Sequence, residues 1–487
     1  MDYPTPHASS VISNSMFMLM AIGLMMCNSA IANTWLDPGD IQVRHDIQWL
    51  SDAGILPVPV TTWPLSWDDL VPGIETPLSD PVLEHARQRV RNHYRRTSHE
   101  KHLGINLSSD PQIYRTFEST PREKHSVEGL IQSFDNPLTY RLQIHLVDDP
   151  SDHRKIRLDG SYLATELGNW TVSAGALDRW WGPGWDGSLI LSNNARPIPG
   201  IQVQRRTSHP FSTKWLSWAG PWQLVFNLGE LEANRDVPNA LFMGLRVNFK
   251  PINHLELGFS RTALWGGEDR PADFETFINL VLGRDNTGDN GITSANEPGN
   301  QLAGMDARWT SHLFDVPYAV YGQLIGEDAA GYGPSKYIGL FGIESFGSGA
   351  MAGSAYHTHL EYADTTVRFY DSNPEYNVAY THSTYKSGYT YRGRTIGHAL
   401  GGDGRMISFG AQYLYNDTKL SNLLIRYIIP DRDSPTAEKI VSLEASHRHP
   451  WHKHRFTFRI GGQWTKYKPD NNSDRDGYFE IMWGYDI

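Results

Sequence analysis

A large all-β transmembrane barrel with a small helical module ahead of it is the fold this chain predicts. Three observations carry that expectation. From Arg455 to Trp464 polar and apolar residues alternate. Phe456, Phe458, Ile460 and Trp464 take one side, and Arg455, Thr457, Arg459 and Gln463 the other. The same beat ends the chain, where Phe479, Ile481, Trp483, Tyr485 and Ile487 alternate with Glu480, Met482, Gly484 and Asp486. Successive strand side chains point to opposite faces, so each segment is a ribbon with one oily and one wet face. Third, the one long apolar run, residues 16–31, ends in Ala30-Ile31-Ala32 and reads as an export signal. No later segment suits a transmembrane helix, so any membrane span must be made of strands.

Composition agrees without deciding. Among 487 residues, 12% are aromatic, with Trp 16, Tyr 23 and Phe 18, as expected where rings form belts at two membrane interfaces. A net charge of -11 argues against nucleic acid as a partner, since that surface needs a basic stripe. Cys27, the only cysteine, would leave with the signal, so the mature chain has no disulfides. Met26 before it is not the small residue that a lipid-anchoring signal needs.

In chain order, residues 1–32 are expected to be the signal peptide, although residues 1–15 lack the usual Lys or Arg. Residues 33–102 are expected to form a helical module on the periplasmic side. Asp40 caps a first helix over 41–53, with Ile41, Ile47 and Leu50 on one stripe and Gly54 as its stop. Ser66 with Asp69 fits a capping box for a second helix starting at Trp67. Asp80-Pro81 opens a third over 82–96, whose basic end (Arg91, Arg95, Arg96) suits the helix dipole.

Residues 103–487 are expected to form the barrel. Met243, Leu245, Val247 and Phe249 alternate with polar neighbours, turn at 251–254, and resume at Leu255, Leu257 and Phe259, a hairpin with one apolar face. Further strands read at 139–147, 157–166, 170–175, 305–310, 318–324 and 439–446. At ~20 residues per strand and connection, roughly 16 to 20 strands fit. Gly168-Asn169, Ala219-Gly220-Pro221 and 251–254 read as tight turns, whereas 178–200 and 265–300 are long and rich in Gly, Pro, Asn and Asp. Barrels of this kind keep turns short on the periplasmic side, so the two long segments are expected outside the cell.

The segment Asp178-Arg179-Trp180-Trp181-Gly182-Pro183-Gly184-Trp185 carries the most chemistry. Indole faces stack on the C–H faces of pyranose rings, while Asp, Asn and Arg bond sugar hydroxyls. The candidate polysaccharide-binding residues are therefore Arg179, Trp180, Trp181, Trp185, Asn193, Asn194 and Arg196, with Arg284 and Asp285 in the second long loop. The alternative is that the tryptophans fold inward as a hydrophobic plug or sit in the aromatic belt. Asp285 to Gly291 imitates a calcium loop but lacks its sixth-place Gly and terminal Glu, and reads as a turn, as does 471–477. His447, His449, His452 and His454 read as a basic hairpin turn rather than a metal site. The dinucleotide-like Gly347-Ser348-Gly349-Ala350-Met351-Ala352 lies in strand-like sequence and lacks the helix that motif requires. Nothing points to a catalytic triad, and neither cofactor nor metal is expected.

More specific than these motifs are Thr61-Thr62-Trp63-Pro64-Leu65, the 178–200 loop with Asn193-Asn194-Ala195-Arg196-Pro197, Lys214-Trp215-Leu216-Ser217-Trp218, 255–262, and Leu282-Gly283-Arg284-Asp285-Asn286. Together, and in this order, they closely resemble the capsule assembly Wzi family. The resemblance implies an eighteen-stranded barrel in the outer membrane of a Gram-negative bacterium, with a periplasmic helical module and an occluded lumen. It implies a lectin that anchors capsular polysaccharide or exopolysaccharide, not an enzyme. Outer-membrane lipid surrounds such a barrel, and the barrel assembly machinery would insert it. Its terminal Ile487 departs from the usual final Phe or Trp. The competing expectation is a channel for oligosaccharides or small solutes, which the polar residues Arg246, Asn248, Glu256, Glu444 and Arg459 permit.

Overall fold

The computed structural model describes residues 35–97, 101–133, 138–273, 277, 299–314, 316–330, 333–415, 418–468 and 472–487. The expected signal peptide lies outside the described residues. Strands from Lys101–Ser108 to Ser473–Asp486 form a closed antiparallel barrel. The last strand pairs with the first from Glu480↔Ser108 to Asp486↔His102. Ile156–Arg157 and Tyr162–Leu167 both pair with Leu138–Asp148, as two halves of one interrupted strand. Counted so, eighteen strands close the ring among the described residues.

The alternation does what its physics demands. Along Lys439–Trp451, Val441 and Leu443 face outward while Glu444, Ser446 and Arg448 are buried inside. Along His454–Lys466, Ile460 is 66% exposed on the outside and Arg459 is 2% exposed within. A hydrocarbon solvent accepts the first set, and only a polar interior accepts the second.

The ends differ. One carries the short turns, such as Leu167↔Trp170, Ile252↔Leu255 and Trp451↔His454. The histidines around Trp451 thus flank a hairpin, as expected. Exposed Trp215, Trp218, Phe314 and Trp451 stud this end. Ala219-Gly220-Pro221 is not itself a hairpin turn; it closes a longer connection between Gly200–Arg205 and Trp222–Glu230. The 347–352 stretch leaves one strand and turns into the next, without a helix. Residues 473–477, expected in a turn, already pair as strand.

The helical module is α1 (Ile41–Asp52), α2 (Trp67–Glu75) and α3 (Pro81–Thr97). Asp40 caps α1 by accepting from the Gln42 and Val43 amides at 3.0 and 3.3 Å. The expected capping box of α2 does not form: Ser66 makes no side-chain cap bond, and Asp69 instead accepts from the Ser208 amide and the Gln223 side chain. A tertiary partner has outcompeted a local one.

The module is not simply appended beneath the barrel, because α1 lies inside it. Every α1 residue from Ile41 to Ser51 is buried, including Gln42, Arg44, His45, Asp46 and Gln48. A helix buried in an oily core would be apolar all round, but the lumen wall here is polar and supplies partners instead. Arg308 forks onto Asp52 at 2.8 Å, Lys250 donates to Ser51, and Arg448 pairs with Asp40 at 2.9 Å. Glu256 accepts from the Val60 and Thr61 amides just beyond α1.

His93 on α3 lies 3.7 Å from Asp40. Burial pulls its imidazole down from 6.5 to about 3, against the upward pull of Asp40. The unfolded histidine therefore takes its proton before the folded one. The stability it sustains should be full above about pH 6.5 and fall as pH drops through the window toward 3. Thermal unfolding followed by tryptophan fluorescence at about pH 7 and pH 5 checks this. His93→Gln should lose less on acidification than the parent, and an equal loss would remove His93 as the cause.

Candidate functional site

From the long-loop end, three connections fold into the lumen: 109–124, 176–199 and 365–404. Trp180 and Trp181 pair with Trp63 and Thr62 as a two-residue ladder in mid-barrel, so the loop plug and the N-terminal plug share backbone hydrogen bonds. Phe117 from the first loop stacks edge-on between Trp63 (5.0 Å) and Trp180 (5.4 Å). Arg44 of α1 donates to the Pro183 and Gly184 carbonyls at 2.6 and 2.8 Å and lies over the rings of Phe117 and Trp185. Burial pulls this guanidinium down to about 10.

The barrel wall grips the same loop. Glu361 accepts from the Trp185 and Gly187 amides, the Trp185 indole donates to Glu344, and Arg426 pairs with Asp186 at 2.8 Å. Burial raises the Asp186 carboxyl, but Arg426 reverses this and holds it below the ordinary range. Gly187 is required by contact: a β-carbon there would lie 2.0 Å from His398 Nε2. From the third loop, the Tyr380 and Tyr389 hydroxyls donate to the Leu189 and Ile190 carbonyls.

Of the two alternatives for the tryptophans, the structure adopts the inward plug. Trp180 and Trp181 are 0% exposed and Trp185 2%, so none offers a ring face to a polymer outside the barrel. As the rings lie here they are closed to direct stacking on a sugar, because filling a closed lumen uses the same apolar surface. Arg179 donates to Gln202, Asn193 to the Phe117 carbonyl and Asn194 to that of Thr395, all buried. Arg196 stays partly exposed near the mouth and bridges Asp152 and Asp159. Arg284 and Asp285 lie outside the described residues.

Two cavities flank the loop 109–124. The first, about 430 Å³, runs between the N-terminal segment and the strands around Glu128 and Arg141, reaching Arg122, Asp159 and Asp178. The second, about 480 Å³, lies between Gln112 and Tyr114 on the loop and Glu444, Asp476 and Tyr478 on the wall. Between them Arg394 donates to the Gln112 and Ile113 carbonyls and to Asn194, and Arg122 pairs with Asp178 at 3.0 Å. This lip of guanidinium, amide and carboxylate groups suits polyhydroxylated ligands. The sequence reading missed both the first loop and the third. The third left a signal: tyrosines at 376, 380, 385, 389 and 391 inside a long connection without strand alternation.

Comparison with known proteins places these features. A family profile described as "Capsule assembly protein Wzi" matches residues 95–478. An uncharacterised 55.8 kDa protein in the cps region of Klebsiella pneumoniae is 34% identical over 341 residues, covering 67% of this chain and 64% of that protein. A solved barrel from Escherichia coli superposes with a TM-score of 0.82 at 27% identity, over 93% of this chain and 100% of that one. It is Wzi, described as an outer membrane protein involved in group 1 capsule assembly and as a carbohydrate-binding β-barrel.

Proposed function

Because this chain belongs to the capsule assembly Wzi family, we propose that it is an outer-membrane lectin that binds capsular or related surface polysaccharide and anchors it to the cell. The carrying observation is the lumen, filled from both ends by plugs that pair with each other. A polymer has no clear bore to thread, which favours binding on the long-loop face. Short turns are the periplasmic habit of such barrels, so the long-loop face is the outer one. Many weak contacts along a repeating polymer add through avidity.

In this reading Arg179, Trp180, Trp181, Trp185, Asn193 and Asn194 shape the face from beneath. Arg196, on the rim, and Arg284 and Asp285, in the second long loop, meet the polymer. No turnover is required, so a labelled polysaccharide should return from incubation with its length unchanged. Deleting the protein is expected to release polysaccharide into the medium while total synthesis stays the same. Purified polysaccharide should bind the detergent-solubilised barrel. A deletion strain that keeps its polymer on the cell would overturn the reading.

The first cavity supports the rival reading, a channel for small solutes. Planar-bilayer recordings separate the two. The lectin predicts silence, and steady large currents from the parent protein would favour the channel.

A further inference from the structure

The second cavity has the composition of a sugar pocket and lies apart from the polysaccharide-binding candidates named from the sequence. We propose that it is a subsite for one neutral pyranose unit of the bound polymer, a reading that rests on the polysaccharide function above. Three observations carry it.

The first is shape. At about 480 Å³ it falls within the range of small-ligand sites, and it borders the loop face rather than the sealed core. The second is a platform. Tyr478 lies flat along the wall because residue 461 is glycine; a β-carbon there would meet its ring at 2.3 Å. Tyr114 lines the same space, so aromatic surface is available to the C–H face of a sugar. The third is an acceptor without a donor. Gln112 is 5% exposed, and its amide nitrogen donates to Glu444 and to the Tyr478 hydroxyl. A carboxylate partner fixes which end of the amide is nitrogen, so Oε1 points the other way. Among the described residues that oxygen has no hydrogen-bond partner. That oxygen is closed to solvent as the side chain stands, and a turn of the Gln112 amide toward the cavity would offer it to a sugar hydroxyl.

Charge narrows the class. Asp110, Glu444 and Asp476 line the cavity. Asp110 pairs with Lys124, Glu444 shares Arg459 with two other acids, and Arg426, the one lining cation among the described residues, is engaged by Asp186. Acid therefore outweighs base around the space. Carboxylates accept from hydroxyl groups but repel a uronate, so the subsite takes an uncharged hexose.

Saturation-transfer NMR on the full-length, detergent-solubilised protein tests this. The probes are methyl glycosides of glucose, galactose and mannose, with the methyl glycoside of glucuronic acid as the charged counterpart. At least one neutral glycoside should bind, and the glucuronide should bind more weakly than the glucoside. Gln112→Leu should weaken the neutral glycoside about tenfold, as expected for one lost hydrogen bond and its desolvated partner. Asp476→Asn, at an exposed position that does not threaten folding, should narrow the gap between glucoside and glucuronide. If whole polysaccharide binds but no neutral glycoside does, or Gln112→Leu binds as the parent does, the subsite is wrong while the lectin reading stands. If the polysaccharide itself does not bind, the lectin reading falls and the subsite falls with it.

Discussion

Replacing Arg308 with alanine is expected to turn a silent barrel into a conducting one. Arg308 is 3% exposed on the inner wall, donates to both Asp52 oxygens at 2.8 Å, and pairs with Glu344 at 2.7 Å. Its guanidinium is the two-pronged clasp among several ties between α1 and the wall. Without it, the buried Asp52 and Glu344 carboxylates lose the cation they share, and Asp52 keeps only Lys250 at 3.9 Å. Breaking a buried pair from one side costs about 3–5 kcal/mol, most of it the uncompensated charge left behind. The wall is held by its own backbone ladder and survives, so the loss falls on the seating of α1. Planar-bilayer recordings should show discrete opening steps for Arg308→Ala and few for the parent. Arg308→Lys, which keeps the charge but loses the fork, should fall between them. A variant as silent as the parent would mean that the loop plug alone seals the lumen.

The second large effect is expected at Arg459. Its guanidinium lies 2.9 Å from Glu118 and 3.1 Å from Glu444, and it also pairs with Glu480. Glu118 belongs to the first loop, while Glu444 and Glu480 stand on two different strands. One cation therefore ties a loop to the wall and keeps three acids compatible. Arg459→Ala should destabilise the folded barrel by about 3–5 kcal/mol, read as a lower urea midpoint and loss of the heat-modifiable band. Adding Glu480→Gln to that variant should recover part of the loss, because one of the stranded charges is gone. Equal midpoints for single and double variants would show that Arg459 acts by packing alone.

The stripe Phe456, Phe458, Ile460 and Trp464 was readable because lipid on one side and a polar lumen on the other impose a period of two. The helices were readable for a similar reason. Asp40 before Ile41 and Asp80 before Pro81 are local signals, and both helices begin where they indicate. Ser66 shows the limit of such signals, since Asp69 bonds across the chain to Ser208 instead. The candidate site was legible in part. The loop holding Trp180, Trp181 and Trp185 stands out in the sequence, but a tryptophan that stacks on sugar and one that fills a plug are written with the same letter.

Local order alone determined the alternating strands and the starts of the helices, because period and caps act over a few positions. Only the closed barrel decided that α1 would enter the lumen, that Arg44 would meet Pro183, and that Trp180 would pair with Trp63. Those contacts join residues more than a hundred positions apart, and their energy exists only once the wall has curved round to enclose them. Burial and charge pairing are properties of the enclosure, so no short stretch of chain can carry them.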